Sequence, residues 1–546
     1  MNSLDHSPAR RAAALALVAA TLFLCYFQNL GAVGLVGADE PRYAWIAREM
    51  AESGDWITPR LYGQPWFEKP VLYYWSAALS FKLFGVSEVT ARLPSAIFAL
   101  LATLALAWLA RRVYGSGTAY WLLLLLPSSV GMTGFSHAAA TDMPFAAALT
   151  LAMVCIAIVL ELTRNADSPI LPRTPWAALL GLGFFSGLAV LAKGPAALIL
   201  SGGAVLLWTV VTKRWRKALL CLHPSAVAAF CATALPWYVA CARRNPDFLR
   251  VFFLEHNFKR FLTPQFQHIQ PFWYYAAVVL AAFLPWTVLL LWCIFAGVQK
   301  LWRERAISPF TAFLLCWIFF CLAFFTISKS KLPGYILPAL PAIGLLLARS
   351  YTRISPERST LFRRMMIAVS TLLALASALL WGTFGRPHAS GLTAHAARSA
   401  AWIILLFALA SALLSFRASK NNLLAASSSL CVVPVLILLL QFPSLSRGFL
   451  PYDPSGKTLA REITLLGLPA QSIYAGPMRR GMQYSLSFYL HSEVQAWDPE
   501  KQQEGYLILG GKNCSRFVAA PWTCSSAPLN PNSSDRFIYR VELKKE

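Results

Sequence analysis

Acidic and basic residues in this chain are concentrated in a few segments that lie between long apolar stretches. The densest segment is Asp39-Glu40-Pro41-Arg42-Tyr43, and Glu68-Lys69-Pro70 follows it. Asp39 or Glu40 could act as a general base, which takes a proton from a reacting hydroxyl. Charged side chains beside a bilayer are costly unless they have a polar role. The pattern therefore indicates an enzyme that works at a lipid surface.

Both segments also have a purely structural interpretation. Asp39 could cap a helix that has Pro41 in its first turn, and Glu68-Lys69 could be a surface ion pair of little energetic value. We favour chemistry for the first segment because two acids and a cation are packed into four residues. We favour it for the second because Glu68-Lys69 is flanked by Trp66-Phe67 and Pro70.

Other polar residues occur at the ends of apolar runs. His137 and Asp142 bracket a short step, where Asp142 could simply cap the next helix. Lys193 follows an apolar run directly, and it could either snorkel to the interface or bind phosphate. Two more segments hold cations that could bind an anion or merely anchor helices. The candidate anion ligands are Lys193, Arg260, Lys329 and Lys331, with Tyr335 beside the last two.

Glu, His and Asp side chains from separate segments are also candidate ligands for a divalent metal. The candidates are Glu68, Asp142 and His256, although their spacing is not diagnostic of a metal site. No cofactor is otherwise required. Ser455-Gly456-Lys457-Thr458 is not a phosphate-binding loop, because that motif needs Gly at position 451, where the chain has Pro451.

Composition indicates the elements that must position these residues. Of 546 residues, 57% are hydrophobic and 13% are charged, whereas about 25% is usual for soluble domains. The sequence therefore predicts a polytopic all-α membrane protein. We predict thirteen spans, near 12–33, 93–110, 117–135, 144–160, 176–192, 195–212, 218–240, 272–298, 308–327, 333–348, 365–384, 399–416 and 422–443.

Charge predicts the orientation. The net charge is +24, and Lys and Arg fill the alternate connections that would face the cytoplasm if the N-terminus is cytoplasmic. The segments with candidate site residues then face outside. So does the tail, residues 444–546, if the span count is odd. No nucleic-acid motif accompanies the positive charge.

The predicted domains are a transmembrane domain, residues 1–443, and a small mixed α/β domain, residues 444–546. The outer loop 34–92 is predicted to hold a surface helix, since Tyr43, Ile46, Ala47 and Met50 share one face and Gly54 can end it. Val71 to Phe84 is predicted to form a second helix. In the tail, strand-like stretches lie at Gln483–Leu490, Gly505–Leu509 and Arg536–Val541, and Cys514 and Cys524 could pair if the tail is extracytoplasmic.

Several of these motifs together resemble bacterial lipid-linked-sugar glycosyltransferases of the GT-C fold, especially the aminoarabinose lipid A transferase group. Protein O-mannosyltransferases are related to it. The resemblance covers roughly residues 10–350. It rests on Ala38-Asp39-Glu40-Pro41-Arg42-Tyr43, Phe67-Glu68-Lys69-Pro70, Asp142-x-Pro144, Lys193-Gly194, Glu255-His256, Pro271-Phe272-Trp273-Tyr274-Tyr275 and Lys331-Leu332-Pro333-Gly334-Tyr335.

The resemblance implies inverting transfer of a sugar from undecaprenyl phosphate, with aminoarabinose and lipid A phosphate as expected substrates. It implies a monomer in the bacterial inner membrane whose active site faces the periplasm. Asp39 matches the essential acid of the family, and Glu40 and Asp142 are the other predicted catalytic acids. The predicted phosphate ligands are Arg42, Lys69, Lys193, Arg260, Lys329, Lys331 and Tyr335. The predicted sugar or acceptor ligands are Tyr43, Glu68, His137 and His256.

Three other functions are alternatives to this one. A mannosyltransferase that acts on protein or another glycan would have the same architecture. A transporter or flippase would carry ionisable groups near the middle of its spans, and these spans contain almost none. A receptor that uses its tail as a binding module would not need so many cations on one face.

Overall fold

The computed structural model describes most of the chain. The described residues are 8–163, 175–252, 269–304, 307–353, 359–384, 391–417, 432–433, 435–440, 454–498, 500, 504–510, 514, 517–518, 522–525, 527–530 and 536–543. They divide into two compact units. The first comprises residues 1–29, 66–73 and 92–444, and the second comprises residues 30–65, 74–91 and 445–546. The assignment of separate domains at residue 443 stays a prediction.

The first unit is helical. Leu72–Phe84 begins in this unit and continues into the second, whereas Glu88–Tyr114 begins in the second unit and continues into this one. The helices are Pro8–Tyr26, Leu72–Phe84, Glu88–Tyr114, Ser116–Leu125, Val130–Ser136, Asp142–Val159, Trp176–Lys193, Ala196–Thr212, Trp215–Leu219, Pro224–Arg244, Tyr274–Ala282, Thr287–Glu304, Pro309–Ile327, Leu340–Thr352, Ser359–Phe384 and Gly391–Arg417. Short 3₁₀ helices cover Leu220–Leu222 and Pro333–Ala339.

Small residues allow the apolar helices of this unit to pack closely. The helix Trp176–Lys193 packs against Asp142–Val159 on one side and Pro224–Arg244 on another. A Cβ atom at Gly183 would overlap the carbonyl oxygen of Ala226, and one at Gly187 would lie 2.6 Å from Cβ of Thr233. Glycines four residues apart are typical of close helix contacts in membranes, where backbones must approach one another.

The chain is a multi-pass membrane protein. Among the described residues, six helices are long and apolar enough to cross a membrane, or up to eight if each of two bent pairs is one span. The total of thirteen spans stays a prediction. The first helix ends at Tyr26 rather than at residue 33 as predicted. The span predicted at 117–135 is bent by 65° between Leu125 and Val130, where Pro127 cannot donate a helical hydrogen bond.

The second unit contains a five-stranded mixed sheet. Its strands are β3 (Ile473–Ala475), β4 (Gln495–Ala496), β5 (Gly505–Leu509), β6 (Trp522–Cys524) and β7 (Phe537–Leu543), in the order β4-β3-β5-β7-β6. β3 is parallel to β4 and β5, while β7 is antiparallel to β5 and β6. A small hairpin joins β1 (Arg60–Leu61) to β2 (Gln64–Pro65). The predicted fold class, a helical membrane protein with a small mixed α/β tail, is confirmed.

Two helices, Lys457–Leu465 and Arg480–Leu490, cover one face of the sheet. We call the second of them, Arg480–Leu490, the tail helix. Leu459, Ile463, Leu486 and Ile508 are among the residues buried in this core. The strand predicted at Gln483–Leu490 is therefore wrong, because this stretch is a helix. Short stretches in which apolar and polar residues alternate do not distinguish the two structures reliably. The strands predicted near 505–509 and 536–541 are confirmed.

Candidate active site

The predicted outer helix is present and begins with the predicted base. It spans Asp39–Ser53, and we call it the loop helix. Gly54 ends it with a left-handed φ of 73°, while its amide donates to the Met50 carbonyl. Asp39 does not cap the helix as predicted. The capping position is Ala38, which makes no side-chain cap, and Asp39 is the first helical residue. Tyr43, Ile46, Ala47 and Met50 are all buried on one side.

Asp39 forms an ion pair with Arg42 one turn later. Arg42 Nη2 donates to Asp39 Oδ1 across 2.7 Å, and the Asp39 side chain is 56% exposed whereas Arg42 is 13% exposed. The guanidinium carbon of Arg42 lies 5.1 Å from the ring centre of Tyr43 and 5.9 Å from that of Tyr484. A cation over aromatic faces is held in a defined direction. The arrangement leaves a carboxylate open to solvent beside an oriented cation.

Glu40 has a different environment from Asp39. It is buried, and its Oε2 accepts a hydrogen bond of 3.0 Å from the backbone amide of Val36. A carboxylate in the first turn that binds a preceding backbone amide stabilises the start of a helix. Of the two predicted acids, Asp39 is the accessible one, and Glu40 has a clear structural role. Tyr43, a predicted sugar ligand, is 2% exposed and packs edge-on against Tyr74 at 5.9 Å.

Asp142 and Lys193 meet within the helical unit. Asp142 begins the helix Asp142–Val159, Lys193 ends the helix Trp176–Lys193, and Lys193 Nζ lies 2.5 Å from Asp142 Oδ1. The ammonium also lies 5.0 Å from the ring centre of Tyr335 and 5.4 Å from that of Phe145. Since Thr141, and not Asp142, occupies the capping position, the structural interpretation as a cap does not hold. The structure brings three predicted site residues together here.

The backbone beside this pair is closely packed. A Cβ atom at Gly334 would lie 2.7 Å from Oδ1 and 3.0 Å from Cγ of Asp142. Gly334 belongs to the 3₁₀ helix Pro333–Ala339, which also carries Tyr335. Only glycine allows this segment to approach the carboxylate so closely.

The contacts of the other predicted residues in this unit are as follows. Glu68 and Lys69 are neighbours, with 3.5 Å between Lys69 Nζ and Glu68 Oε1, and both side chains are largely buried. Lys331 is buried and donates to the Gln270 carbonyl across 3.2 Å, whereas Lys329 is exposed. His256 and Arg260 lie outside the described residues.

His137 acts as a link between backbones. Its Nε2 lies 2.7 Å from the Gln28 carbonyl oxygen, and its Nδ1 lies 2.9 Å from that of Thr133. Both ring nitrogens thus lie within hydrogen-bonding distance of a main-chain carbonyl oxygen. This arrangement favours a structural role over the predicted role as a sugar ligand, which stays a prediction.

No group of three or more His, Cys, Asp or Glu side chains is arranged to hold a metal ion within the part of the chain that the structure describes. The metal set predicted from Glu68, Asp142 and His256 includes one residue outside that part. The prediction of a divalent metal therefore stays a prediction.

Sequence reasoning missed the polar contacts between the loop 30–65, residues 74–91 and the tail, all within the second unit. Glu88 accepts from the Tyr489 hydroxyl at 2.8 Å and pairs with Lys457 at 2.7 Å. Arg48 Nη2 lies 2.5 Å from His491 Nδ1. These partners are hundreds of residues apart in sequence, so no local pattern links them. Lys457 belongs to the motif that we rejected as a phosphate loop.

A shallow pocket of about 300 Å³ lies between the loop helix, the β1–β2 turn and the segment after the tail helix. Trp45, Glu49, Tyr62 and His491 are among its lining residues. Glu49 accepts from Trp45 Nε1 at 3.0 Å and from the Gly63 amide at 2.9 Å. Burial raises the pKa of Tyr62 well above its ordinary value.

Comparison with solved structures identifies the fold of this protein. The crystal structure of ArnT from Cupriavidus metallidurans bound to undecaprenyl phosphate matches with a TM-score of 0.76 and 23% identity, over 96% of this chain and 97% of that one. The apo structure matches with the same TM-score and 24% identity, over 98% and 99%. The protein therefore has the fold of these structures, which is the predicted GT-C fold.

Comparison of the amino-acid sequence with known proteins identifies a family model and several relatives. A family model described as dolichyl-phosphate-mannose-protein mannosyltransferase matches residues 12–252. The undecaprenyl phosphate-alpha-4-amino-4-deoxy-L-arabinose arabinosyl transferase of Edwardsiella ictaluri is 34% identical over 356 residues, which are 64% of this chain and 62% of that protein. The enzyme of the same name from Serratia proteamaculans is 35% identical over 380 residues, 67% and 65% of the two chains. The chain thus spans a little under two thirds of these relatives' length, and the predicted resemblance is confirmed.

Proposed function

We propose that this protein is an inverting glycosyltransferase that moves 4-amino-4-deoxy-L-arabinose from undecaprenyl phosphate to a phosphate of lipid A. The observation that carries the proposal is its identity of 34–35% with two relatives whose names state an undecaprenyl phosphate-linked aminoarabinose donor. We place it in the bacterial inner membrane as a monomer, with its active site facing the periplasm. The basic connections between apolar runs support this orientation.

The proposed reaction is a single displacement. An oxygen of the acceptor attacks the anomeric carbon of the sugar while the bond from that carbon to the phosphate oxygen breaks. Undecaprenyl phosphate leaves with the bonding electron pair, so negative charge grows on its phosphate and nearby cations stabilise the transition state. A phosphate acceptor is already ionised, whereas a hydroxyl acceptor would give its proton to a general base.

The exposure of Asp39 supports the choice between the two neighbouring acids. Asp39 is more than half exposed, whereas Glu40 is buried and holds a backbone amide. We assign Asp39 the role of base for a hydroxyl acceptor. For a phosphate acceptor, Asp39 would orient the acceptor or stabilise positive charge on the sugar. Glu40 supports the helix start.

For the ligands of the donor phosphate, the sugar and the acceptor, we propose the residues that the sequence predicts. Ligands for the donor phosphate are proposed among Arg42, Lys69, Lys193, Arg260, Lys329, Lys331 and Tyr335. Lys329 is exposed and so accessible to a ligand, whereas Lys193 is already paired with Asp142. A phosphate that binds Lys193 would therefore compete with the Asp142 carboxylate. Glu68, His137, His256 and Tyr43 are proposed as sugar or acceptor ligands.

A second candidate function is transfer of mannose from a polyprenyl phosphate to protein or another glycan. This candidate is favoured by the match of residues 12–252 to a family model that is described as a protein mannosyltransferase. The chemistry at the donor phosphate would be the same. Only the sugar and the acceptor would differ.

The test uses the purified full chain in detergent with radiolabelled undecaprenyl phosphate-aminoarabinose and lipid A. We expect label on lipid A with the wild type, a loss of transfer with Asp39→Asn, and substantial transfer with Glu40→Gln when that variant remains folded. Wild-type protein that transfers no aminoarabinose but moves mannose to a peptide would support the second candidate. Equal activity of the wild type and Asp39→Asn would refute the role of Asp39. A chelator added to the same assay tests the divalent metal.

A further inference from the structure

The start of the loop helix has no side-chain cap of its own. Ala38 makes no such hydrogen bond, and the residues ahead of it, Val36 and Gly37, are in irregular backbone. The first four amides of a helix need partners from elsewhere, and the entry of the chain needs support. Glu40 supplies part of that support through the Val36 amide. The tail helix, Arg480–Leu490, supplies further contacts.

Side chains of the tail helix hold both polar groups of Leu35. Ser485 Oγ donates to the Leu35 carbonyl oxygen across 2.8 Å, and the Leu35 amide donates to the Tyr489 hydroxyl across 2.9 Å. Both hydroxyls are fixed in turn. Ser485 accepts from the Gly456 amide at 2.9 Å, and Tyr489 donates to Glu88 at 2.8 Å. Leu35 is therefore anchored to tail side chains that have hydrogen-bond partners of their own.

The same helix contacts the next residues along the chain. A Cβ atom at Gly481 would lie 2.7 Å from both the carbonyl carbon and oxygen of Gly37, and 3.1 Å from the Ala38 amide nitrogen. Tyr484 places its ring 5.9 Å from the guanidinium carbon of Arg42. Positions 481, 484, 485 and 489 follow helical spacing and so lie on one side of the tail helix. That side follows the chain from Leu35 to Arg42.

We infer that Gly481, Tyr484, Ser485 and Tyr489 are positioning residues for Asp39 and Arg42. They act through the backbone before Asp39 and through the ring that orients Arg42, and they need not touch a substrate. This inference rests on the proposed function, since it assigns the tail a part in that reaction. A displacement of about 1 Å in a reacting group can lower a rate roughly a hundredfold, so small changes in this contact become visible in kcat.

The experiment compares Gly481→Ala, Tyr484→Leu and Tyr484→Phe in the transfer assay, with hydrogen–deuterium exchange of the peptide 35–43 as a readout that does not depend on activity. Gly481→Ala and Tyr484→Leu are expected to lower kcat about tenfold to a hundredfold, with much smaller changes in KM. They should also speed exchange in residues 35–43. Tyr484→Phe keeps the ring and should retain both wild-type behaviours.

Ser487→Ala is the matched control. Ser487 binds the Gln483 carbonyl and the Val494 amide within the tail and also hydrogen-bonds Tyr62, but no contact joins it to residues 35–42 among those described. Its loss should lower the melting temperature without lowering kcat selectively. The inference is overturned if Gly481→Ala and Tyr484→Leu leave kcat and exchange unchanged, or if Ser487→Ala reproduces their effects. Wild-type protein without transfer activity but with the expected exchange pattern would refute the proposed reaction and retain the positioning.

Discussion

Lys193 Nζ lies 2.5 Å from Asp142 Oδ1, so the end of one long apolar helix is joined to the start of another by an ion pair. The side chains are 13% and 21% exposed, respectively. The rings of Tyr335 and Phe145 lie beside the ammonium. Because both side chains are largely buried and so poorly solvated, each charge stabilises the other.

Removal of one partner should therefore cost more than removal of both. We expect Lys193→Met to destabilise the protein by roughly 3 kcal/mol, since it removes the ammonium that pairs with the largely buried Asp142 carboxylate, and the double variant Lys193→Met/Asp142→Asn to recover part of that loss. Thermal unfolding in detergent measures both. Lys217→Met is the control, because its pair with Glu161 is more exposed and should contribute less than about 1 kcal/mol. Equal losses for the two lysines would contradict the prediction.

A substitution at Gly334 would test the packing around the Asp142 carboxylate. Gly334→Ala would place a methyl group 2.7 Å from Asp142 Oδ1 and 3.0 Å from Phe135. We expect a loss of about 1–3 kcal/mol through overpacking, together with lower transfer activity if Asp142 contributes to the reaction. Gly297→Ala is the matched control, since a methyl group there would meet no described atom within 4 Å. A wild-type melting temperature for Gly334→Ala would show that the segment can shift at no cost.

The sequence is sufficient to predict elements whose signals are local. The loop helix follows from the spacing of Tyr43, Ile46, Ala47 and Met50 and from Gly54 at its end, and the structure has that helix. The sequence predicts a strand where the structure has the tail helix, because Tyr484, Leu486, Phe488 and Leu490 alternate with polar residues. In the structure Ser485 and Ser487 are buried as well, since both bind backbone groups.

Contacts between distant segments could not be predicted in this way. The Asp142–Lys193 pair consists of two residues that the sequence singled out, but nothing in their spacing of 51 positions indicates that they meet. Likewise, the contact of Arg42 with Tyr484 depends on how the tail folds onto the loop. Local patterns identify which residues are unusual, and only the tertiary fold determines their partners.

The tail contains a disulfide between Cys514 and Cys524, the two cysteines that the sequence set apart. The link spans 10 positions, and Cys514 is buried beside Trp522 and Tyr539. We expect the Cys514→Ser/Cys524→Ser variant to lose about 2–3 kcal/mol of stability, because the unfolded chain gains freedom. The measurement is the melting temperature with and without reductant. Reductant should lower it for the wild type only, and an equal drop in the variant would trace the effect to another cause.

His491 should make the second unit sensitive to acid. It follows the tail helix in a left-handed conformation, φ 58°, with its Nδ1 2.5 Å from Arg48 Nη2. Burial, and then the charge of Arg48, lower the pKa of His491 below its ordinary value, while Glu52 opposes them. Below a pH of about 6.5 the unfolded chain takes up a proton that the folded chain resists. The stability that neutral His491 contributes is therefore fully present above that pH, and it is lost as the pH falls toward the lowered pKa of His491 in the folded chain.

The variant His491→Asn isolates this effect, because asparagine tolerates the left-handed conformation and does not titrate. We expect the wild type to melt about 1–3 °C lower at pH 5.5 than at pH 7.5 through His491, a small shift because the imidazole is partly exposed to solvent. In His491→Asn this part of the pH dependence should disappear, while the melting temperature at pH 7.5 changes little. Identical pH profiles for the two proteins would show that protonation of His491 does not disturb its contact with Arg48.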